Sequence, residues 1–127
     1  MRYLLDTHAA LWFLAGDDRL SVTAKAVILD PSTEISISVA SSWELAIKLG
    51  LRKLQFEGGI PAFFDMVDDN GFTLLPLTKA HLNGIAQLPL HHRNPFDRLL
   101  VATAFAESMS LVTADTAMAL YGVSRVW

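Results

Sequence analysis

Residues 2–8 of the chain read Arg-Tyr-Leu-Leu-Asp-Thr-His, a short apolar run that ends in an acid. The apolar residues predict a buried strand, and the residues after Asp6 predict a turn directly into a helix. An apolar run that stops at a carboxylate is typical of the carboxyl-terminal edge of a parallel sheet, and open α/β folds bind ligands outside that edge. We therefore expect Asp6 to lie at the functional site.

Downstream, apolar periodicity alternates between the spacing of strands and that of helices. Four further strands are predicted, at residues 34–39, 72–75, 110–113 and 123–126. Helices are predicted at residues 8–15, 22–29, 41–50, 61–69, 79–87 and 95–109, with a short one after residue 115. Strands that alternate with helices predict βαβ units with right-handed crossovers, and hence an α/β fold with a mostly parallel sheet of about five strands.

Length and composition describe one ordinary globular domain. The 127 residues can bury a single core, so we expect residues 1–127 to form one domain. The chain has no Cys, which excludes a disulfide scaffold, a Cys-ligated zinc and a thiol nucleophile, and is typical of a reducing compartment. No signal peptide opens the chain, and the apolar run at residues 9–15 is far short of the ~20 residues that cross a bilayer. We expect a cytoplasmic protein with no membrane contact.

The charge balance bears on nucleic-acid binding. A formal net charge of −3 argues against the broad basic surface that holds duplex DNA by counterion release. Basic residues do cluster locally, either as a solvated face or as a local contact for nucleic acid. One cluster follows Glu44 and contains Lys48, Arg52 and Lys53. The other surrounds Asp97 and contains His91, His92, Arg93 and Arg98.

Four acids occupy predicted strand-to-helix turns, and each has a purely structural explanation. They are Asp6, Glu44, Asp97 and Asp115. Asp6 and Asp115 can be helix N-caps, while Glu44 and Asp97 stand three residues after Ser41 and Asn94, where an acid completes a capping box. A carboxylate near a helix N-terminus contributes ~0.3–1 kcal/mol without any further role.

The joint pattern of these acids indicates a metal site. In an α/β domain all strand-to-helix turns lie on one side of the sheet, so the four carboxylates can converge. Their mutual repulsion then calls for protonation or a bound cation. Oxygen ligands favour Mg²⁺ or Mn²⁺, which suit metal-assisted hydrolysis of a phosphodiester. We expect Asp6 and Asp97 to lie closest to the ion, with Glu44 and Asp115 ligating directly or through water.

Residues next to the acids are candidates for supporting roles. Thr7 and Thr113 carry small hydroxyls that can hold a carboxylate or a metal-bound water, or can simply be turn residues. Arg98 can contact a substrate phosphate or pair with an acid. His92 can do the same, although a histidine in a loop is usually solvated.

Four segments resemble the signature segments of PIN-domain ribonucleases, and most closely those of VapC-type toxins of prokaryotic toxin–antitoxin modules. They are LLDTHA at residues 4–9, SSWELAIK at 41–48, HRNPFDRLL at 92–100 and LVTAD at 111–115. They occur in the family's order and span nearly the whole chain. One departure is Asn94, where many relatives carry Asp before the Pro-Phe-Asp-Arg segment; an amide caps a helix equally well, so the departure concerns only an auxiliary role there.

The resemblance implies both a fold and an activity. It implies a PIN-like three-layer α/β/α sandwich and a Mg²⁺- or Mn²⁺-dependent endoribonuclease whose acidic quartet is Asp6, Glu44, Asp97 and Asp115. It also implies an RNA substrate, frequent homodimerisation, and inhibition by a cognate antitoxin whose tail lies over the site.

A partner surface is predicted separately from the distribution of aromatic residues. Trp12 and Phe13 in the first helix, with Phe63, Phe64 and Met66 in the fourth, exceed what a small core obviously needs. Exposed apolar patches mark interfaces. We expect either core packing or an apolar groove beside these helices that receives an antitoxin helix.

Two other functions remain open at this point. One is a phosphatase or phosphotransferase with Asp6 as nucleophile. That chemistry commonly uses a second acid two residues further on, where this chain has His8. The other is a non-catalytic binding domain whose acids only cap helices.

Overall fold

Strand β1 (Arg2–Leu5) lies at the centre of a five-stranded sheet in which every neighbouring pair is parallel. The computed structural model describes all residues from Met1 to Trp127. The remaining strands are β2 (Glu34–Ser38), β3 (Thr73–Leu75), β4 (Ser110–Val112) and β5 (Arg125–Val126), in the spatial order β3-β2-β1-β4-β5. All carboxyl ends of the strands therefore lie at one edge of the sheet.

Seven helices flank the sheet. They are α1 (Thr7–Ala15), α2 (Val22–Leu29), α3 (Val39–Gly50), α4 (Gly59–Asp69), α5 (Lys79–Gln87), α6 (Pro95–Glu107) and a 3-10 helix (Thr116–Tyr121). None of them combines the length and the apolar character needed to cross a membrane.

Two apolar clusters occupy the two faces of the sheet. Consecutive side chains of a strand point to opposite faces, and accordingly Leu5 packs into one cluster while Leu4 packs into the other. The first cluster joins β1 to α1, α2 and α4, with Phe63 only 1% exposed at its centre. The second joins β1 and β4 to α6 and the 3-10 helix. The expected α/β/α sandwich is confirmed, and its sheet is entirely parallel.

One helix begins earlier than the sequence pattern predicts. The strand expected at residues 34–39 ends at Ser38, and α3 starts at Val39 rather than at Ser41. The hydroxyl of Ser38 accepts a hydrogen bond from the backbone N–H of Ala40 at 3.1 Å and caps the helix. The predicted capping box of Ser41 and Glu44 is therefore wrong, because an equally suitable serine stands three residues earlier.

The start of α4 also differs from the prediction. The sequence predicts a helix that starts at residue 61, but α4 begins at Gly59. Gly58 precedes it in the left-handed conformation, with a φ of 82°, which glycine adopts without strain. Pro61 still lies in the first turn, where a missing N–H costs no helical hydrogen bond.

Candidate active site

Asp6 follows β1 and serves as the N-cap of α1 while its second oxygen faces the end of β4. Its Oδ1 accepts a hydrogen bond from the backbone N–H of Ala9 at 2.7 Å, as a cap does. Its Oδ2 accepts a hydrogen bond from the hydroxyl of Thr113 at 2.5 Å. The side chain is buried, and this burial raises the pKa of Asp6 although both hydrogen bonds oppose the change. The carboxylate is therefore held in a defined orientation.

Glu44 is buried in the interior of α3 and caps nothing. It is 2% exposed. The hydroxyl of Thr7 donates to its Oε1 at 2.6 Å, and Nζ of Lys48 lies 2.8 Å from its Oε2. The hydroxyl of Ser41, which the sequence did not single out for the site, lies 3.0 Å from that of Thr7. A buried acid this far inside a helix has no structural role as a cap, so its burial needs another explanation.

Asp97 lies in the first turn of α6, but it does not complete a capping box either. The side chain of Asn94 caps this helix by accepting from the backbone N–H of Phe96 at 2.9 Å. The backbone N–H of Asn94 donates to Nδ1 of His92 at 3.0 Å instead of to Asp97. Asp97 therefore does not accept the hydrogen bond from the backbone N–H of Asn94 that a capping box requires.

The four acids interact electrostatically, as the pKa of Asp97 shows. Burial raises the pKa of Asp97 to about 7, and the negative charge of Glu44 adds to the effect. The charges of Asp6 and Asp115 act in the same direction, while His92 opposes them. Acids spread over most of the chain are therefore close enough to repel one another, as expected for the carboxyl edge of a parallel sheet.

Asp115 is fixed by three hydrogen bonds at the end of β4. Its Oδ1 accepts from the backbone N–H of Ala117 at 2.9 Å and so caps the 3-10 helix. Its backbone N–H donates to the hydroxyl of Thr113 at 3.0 Å, and its Oδ2 lies 2.7 Å from Nε2 of His92. Burial favours a higher pKa of Asp115, but the hydrogen bonds with His92 and Ala117 outweigh burial and lower this pKa. Thr113 thereby links Asp115 to Asp6.

His92 is part of the site, which the sequence pattern understates. Its Nε2 also lies 3.3 Å from Oδ2 of Asp97. Each of His92, Asp97 and Asp115 offers one possible ligand atom, and these three atoms all lie within 4.8 Å of one another. Asp6 and Glu44 lie outside this group. In the sequence, this role of His92 is indicated only by its place in the same segment as Asp97.

Arg98 points away from the acids. The sequence left it open between a phosphate contact and an ion pair with an acid, and the structure contains no such ion pair. Its guanidinium instead donates to carbonyl oxygens of the preceding segment and lies 3.3 Å from the hydroxyl of Tyr121. These carbonyls belong to Ile85, Leu88 and Pro89. Arg98 therefore supports the loop before α6.

The aromatic residues singled out for a partner surface divide into two sets. Phe63 is buried in the core, so it cannot belong to a groove. Trp12, Phe13, Phe64 and Met66 are half-buried. Trp12 packs against Trp127 with ring centroids 5.8 Å apart and carries the guanidinium of Arg19 at 5.1 Å. Two open cavities of about 240 and 380 Å³ adjoin α1 and share Trp12 in their linings.

The residues present fit a hard divalent cation. The four acids supply only oxygen atoms, and the chain has no Cys. Such a donor set suits Mg²⁺ or Mn²⁺. The raised pKa of Asp97 means that the crowded carboxylates are not fully ionised together near neutral pH without a compensating positive charge.

Comparison with known proteins gives one consistent result. The family model described as PIN domain matches residues 3–123. Ribonuclease VapC22 of Mycobacterium tuberculosis (strain ATCC 25618 / H37Rv) is 28% identical over 112 residues, which cover 88% of this chain and 85% of that protein.

Two solved structures share the fold. One is VapBC2 from Rickettsia felis bound to a promoter DNA fragment, with a TM-score of 0.73, 16% identity, and coverage of 98% of this chain and 97% of that one. The other is VapC20 of Mycobacterium tuberculosis, a toxin that cleaves the sarcin-ricin loop, with a TM-score of 0.65, 17% identity and coverage of 95% of both chains.

Proposed function

The chain belongs to the PIN-domain family as a homologue of VapC toxins, and from this premise we propose that it is a Mg²⁺- or Mn²⁺-dependent endoribonuclease. We further propose that Asp6, Glu44, Asp97 and Asp115 hold the cation. A bound divalent cation supplies positive charge to the scissile phosphodiester and lowers the pKa of a water molecule that can attack it.

One observation carries this proposal above the others. The pKa of Asp97 is raised to about 7, first by burial and then by the charge of Glu44, with Asp6 and Asp115 contributing. Carboxylates that exist only to cap helices gain stability from being ionised near the helix N-terminus. The surroundings of Asp97 instead disfavour its ionised form. A bound cation, which would favour the ionised form, explains this arrangement better than capping does.

The surrounding residues of the chain support this assignment by holding the carboxylates in place. Thr7 donates to Glu44, and Thr113 donates to Asp6, so two buried acids each receive a fixed neutral donor. Lys48 compensates part of the charge of Glu44 from the solvent side. The remaining lone pairs of the acids are available to a cation and its water molecules.

The two alternative functions are less well supported. A phosphatase or phosphotransferase that uses Asp6 as nucleophile commonly has a second acid two residues further along the chain. The residue two positions further on, His8, supplies no second acid. A purely structural role for the acids fails at Glu44 and Asp97, which make no capping bond.

We also propose an antitoxin as protein partner, a homodimer as the assembled form, and a cytoplasmic location. The structural neighbour VapBC2 from Rickettsia felis is bound to a DNA fragment from its promoter, and the neighbour VapBC-5 from Mycobacterium tuberculosis is a member of the VapBC family of toxin–antitoxin systems. In this chain the grooves along α1 are lined by half-buried apolar side chains, including Trp12 and Phe13, and by the exposed Val22 of α2. An amphipathic helix is a suitable occupant of such a groove.

The nuclease proposal is tested by cleavage of total cellular RNA in the presence and absence of Mg²⁺. We expect Asp6→Asn and Asp97→Asn to abolish cleavage, while the control Asp30→Asn, an exposed acid far from this edge of the sheet, retains it. Cleavage that persists in both site variants, or that is unaffected by EDTA, rejects the proposal.

A further inference from the structure

The hydroxyl of Tyr121 lies at the end of the 3-10 helix and contacts the loop that carries His92. Its oxygen accepts hydrogen bonds from the backbone N–H groups of His91 at 3.1 Å and His92 at 2.9 Å. The imidazole of His91 also packs edge-on against the ring of Tyr121, with centroids 5.0 Å apart. A single side chain therefore satisfies two consecutive backbone donors of residues 88–94, a segment with no regular secondary structure.

Arg98 fastens the same loop from the other side. One guanidinium nitrogen donates to the carbonyl of Pro89 at 3.0 Å and lies 3.3 Å from the hydroxyl of Tyr121. The other donates to carbonyls of Ile85 and Leu88 at 3.3 and 3.4 Å. Because a guanidinium has its donors in a rigid planar fork, these bonds restrict the loop at several points at once.

The position of the loop selects one tautomer of His92. The backbone N–H of Asn94 donates to Nδ1 at 3.0 Å, so Nδ1 is the unprotonated nitrogen and Nε2 carries the hydrogen. This Nε2–H faces Oδ2 of Asp115 at 2.7 Å and Oδ2 of Asp97 at 3.3 Å. One donor therefore bridges two of the acids proposed for the cation.

The same bond argues against His92 as a metal ligand. A neutral imidazole that binds a metal through Nε2 carries its proton on Nδ1 and donates it to a partner. At Nδ1 this chain presents a backbone N–H, which is itself a donor, and the two hydrogens would oppose each other. By distance alone His92, Asp97 and Asp115 resemble a mixed nitrogen and oxygen metal site, but the hydrogen-bond polarity excludes that arrangement in this conformation.

We propose that Tyr121 and Arg98 are positioning residues that fix His92, and that His92 acts as a hydrogen-bond donor holding Asp97 and Asp115 together beside an oxygen-only cation site. The inference rests on the proposed function, since it assigns roles around the same acids. Its distinctive consequence concerns ion preference. Imidazole nitrogen favours Mn²⁺ over Mg²⁺, whereas a neighbouring donor that orients carboxylates affects both ions alike.

The test measures the dissociation constants of Mn²⁺ by electron paramagnetic resonance and of Mg²⁺ by competition. We expect Tyr121→Phe and His92→Ala to weaken both ions by a similar factor of roughly ten, the lower range for residues that orient metal ligands. His92→Gln, whose amide nitrogen can donate from a similar position, restores most of the loss. Tyr3→Phe is the matched control, because the hydroxyl of Tyr3 makes its one hydrogen bond to the sulfur of Met1.

A second readout, nitrogen-15 NMR of the imidazoles in cation-free protein, does not depend on metal. The resonances of His92 are assigned from their absence in His92→Gln. We expect the tautomer with the hydrogen on Nε2 in the wild type, and averaging between tautomers in Tyr121→Phe but not in Tyr3→Phe.

The possible results separate this inference from the proposed function. A loss in His92→Ala that is much larger for Mn²⁺ than for Mg²⁺ identifies a ligand and overturns the inference alone. Equal behaviour of Tyr121→Phe and Tyr3→Phe overturns the positioning role. A wild-type protein that binds neither ion overturns the proposed function and this inference with it.

Discussion

The hydroxyl of Thr7 donates to Oε1 of Glu44 at 2.6 Å and so joins the first residue of α1 to the interior of α3. The two residues are 37 positions apart in sequence, and both are buried. This bond connects the turn after β1 to the helix after β2, and it orients a carboxylate that no backbone group contacts. Its removal should therefore affect both the stability of the fold and the geometry of the site.

We expect Thr7→Val to lower the free energy of unfolding by ~1–3 kcal/mol, the range for leaving a buried group without its partner. The isosteric change removes the donor while keeping the volume. Urea denaturation in EDTA measures the loss, and Thr73→Val, an exposed threonine on β3, serves as the control. If both variants unfold at the same urea concentration, the bond contributes nothing to stability.

Asp97 should make the cation-free protein less stable as the pH rises. In the folded chain Asp97 has a pKa of about 7, whereas an unfolded aspartate has a value near ~3.9. Between these two values the folded state binds the additional proton, so the free energy of unfolding falls with rising pH by at most ~1.4 kcal/mol per unit. Burial raises the pKa of Asp6 too, which adds a contribution of the same sign.

Denaturation in EDTA between pH 5 and pH 8 checks this dependence. Asp97→Asn has no ionising group at this position, so its stability should decline less over the interval, and above neutral pH the variant should be the more stable protein. Parallel curves for the two proteins would mean that Asp97 ionises in the folded state as it does in the unfolded state.

Cation binding should stabilise the folded protein, and this stabilisation should require the acids of the site. At a free Mn²⁺ concentration of 100 times the dissociation constant, a ligand that binds only the folded state contributes ~2.7 kcal/mol. We expect a corresponding rise in the melting temperature of the wild type, reversed by EDTA and nearly absent in Asp97→Asn. An equal rise in both proteins would indicate that the ion binds elsewhere, for instance at exposed surface acids.

His81 should be important for stability but not for cation binding. It is fully buried; its Nδ1 accepts from the backbone N–H of Thr78 at 3.3 Å, and its Nε2 lies 3.0 Å from Oε1 of Glu107. We expect His81→Ala to cost ~2–4 kcal/mol through the cavity and the lost bonds. Urea denaturation gives the loss, and a Mn²⁺ titration of the folded variant should match the wild type. A changed Mn²⁺ affinity would contradict the separation of this pair from the site.

The groove between α1 and α2 can be tested with a charge on its rim. Val22 is 87% exposed at the first position of α2, where an acid is compatible with the helix. We expect Val22→Asp to weaken binding of the cognate antitoxin at least tenfold, or ~1.4 kcal/mol, without a loss of stability. The control is Leu29→Asp, at the other end of α2 and 59% exposed. Equal antitoxin affinity of the two variants, measured by titration calorimetry, would locate the interface elsewhere.

Most of the fold could be predicted because it depends on local patterns. Such patterns include apolar runs of strand length, apolar residues at helical spacing, and residues that start helices, such as Thr78 before α5 and Pro95 at the start of α6. Each pattern involves residues only a few positions apart, and the helices expected at both places are confirmed. The wrong boundary at α3 arose where two serines offered equivalent caps. Local propensity could not distinguish Ser38 from Ser41, and the end of β2 selected the former.

The identity of the four acids as a quartet remains a prediction, although their electrostatic coupling follows from the topology. Parallel strands bring their carboxyl ends to one edge, which is why acids as distant in sequence as Asp6 and Asp115 could be expected at one place. The alternation of strand and helix, and the placement of Asp6 and Asp115 shortly after apolar strands, could both be predicted from the order of residues alone.

Other features required the folded chain because they depend on contacts between distant side chains and on which way a hydrogen bond points. Glu44 loses its explanation as a cap and gains Thr7 as a donor, His92 reaches Asp115 across 23 positions, and Arg98 turns toward carbonyls rather than acids. Residue type and spacing cannot encode such directions, since a histidine or an arginine in a loop has many possible partners of similar energy. Packing in three dimensions chooses among them.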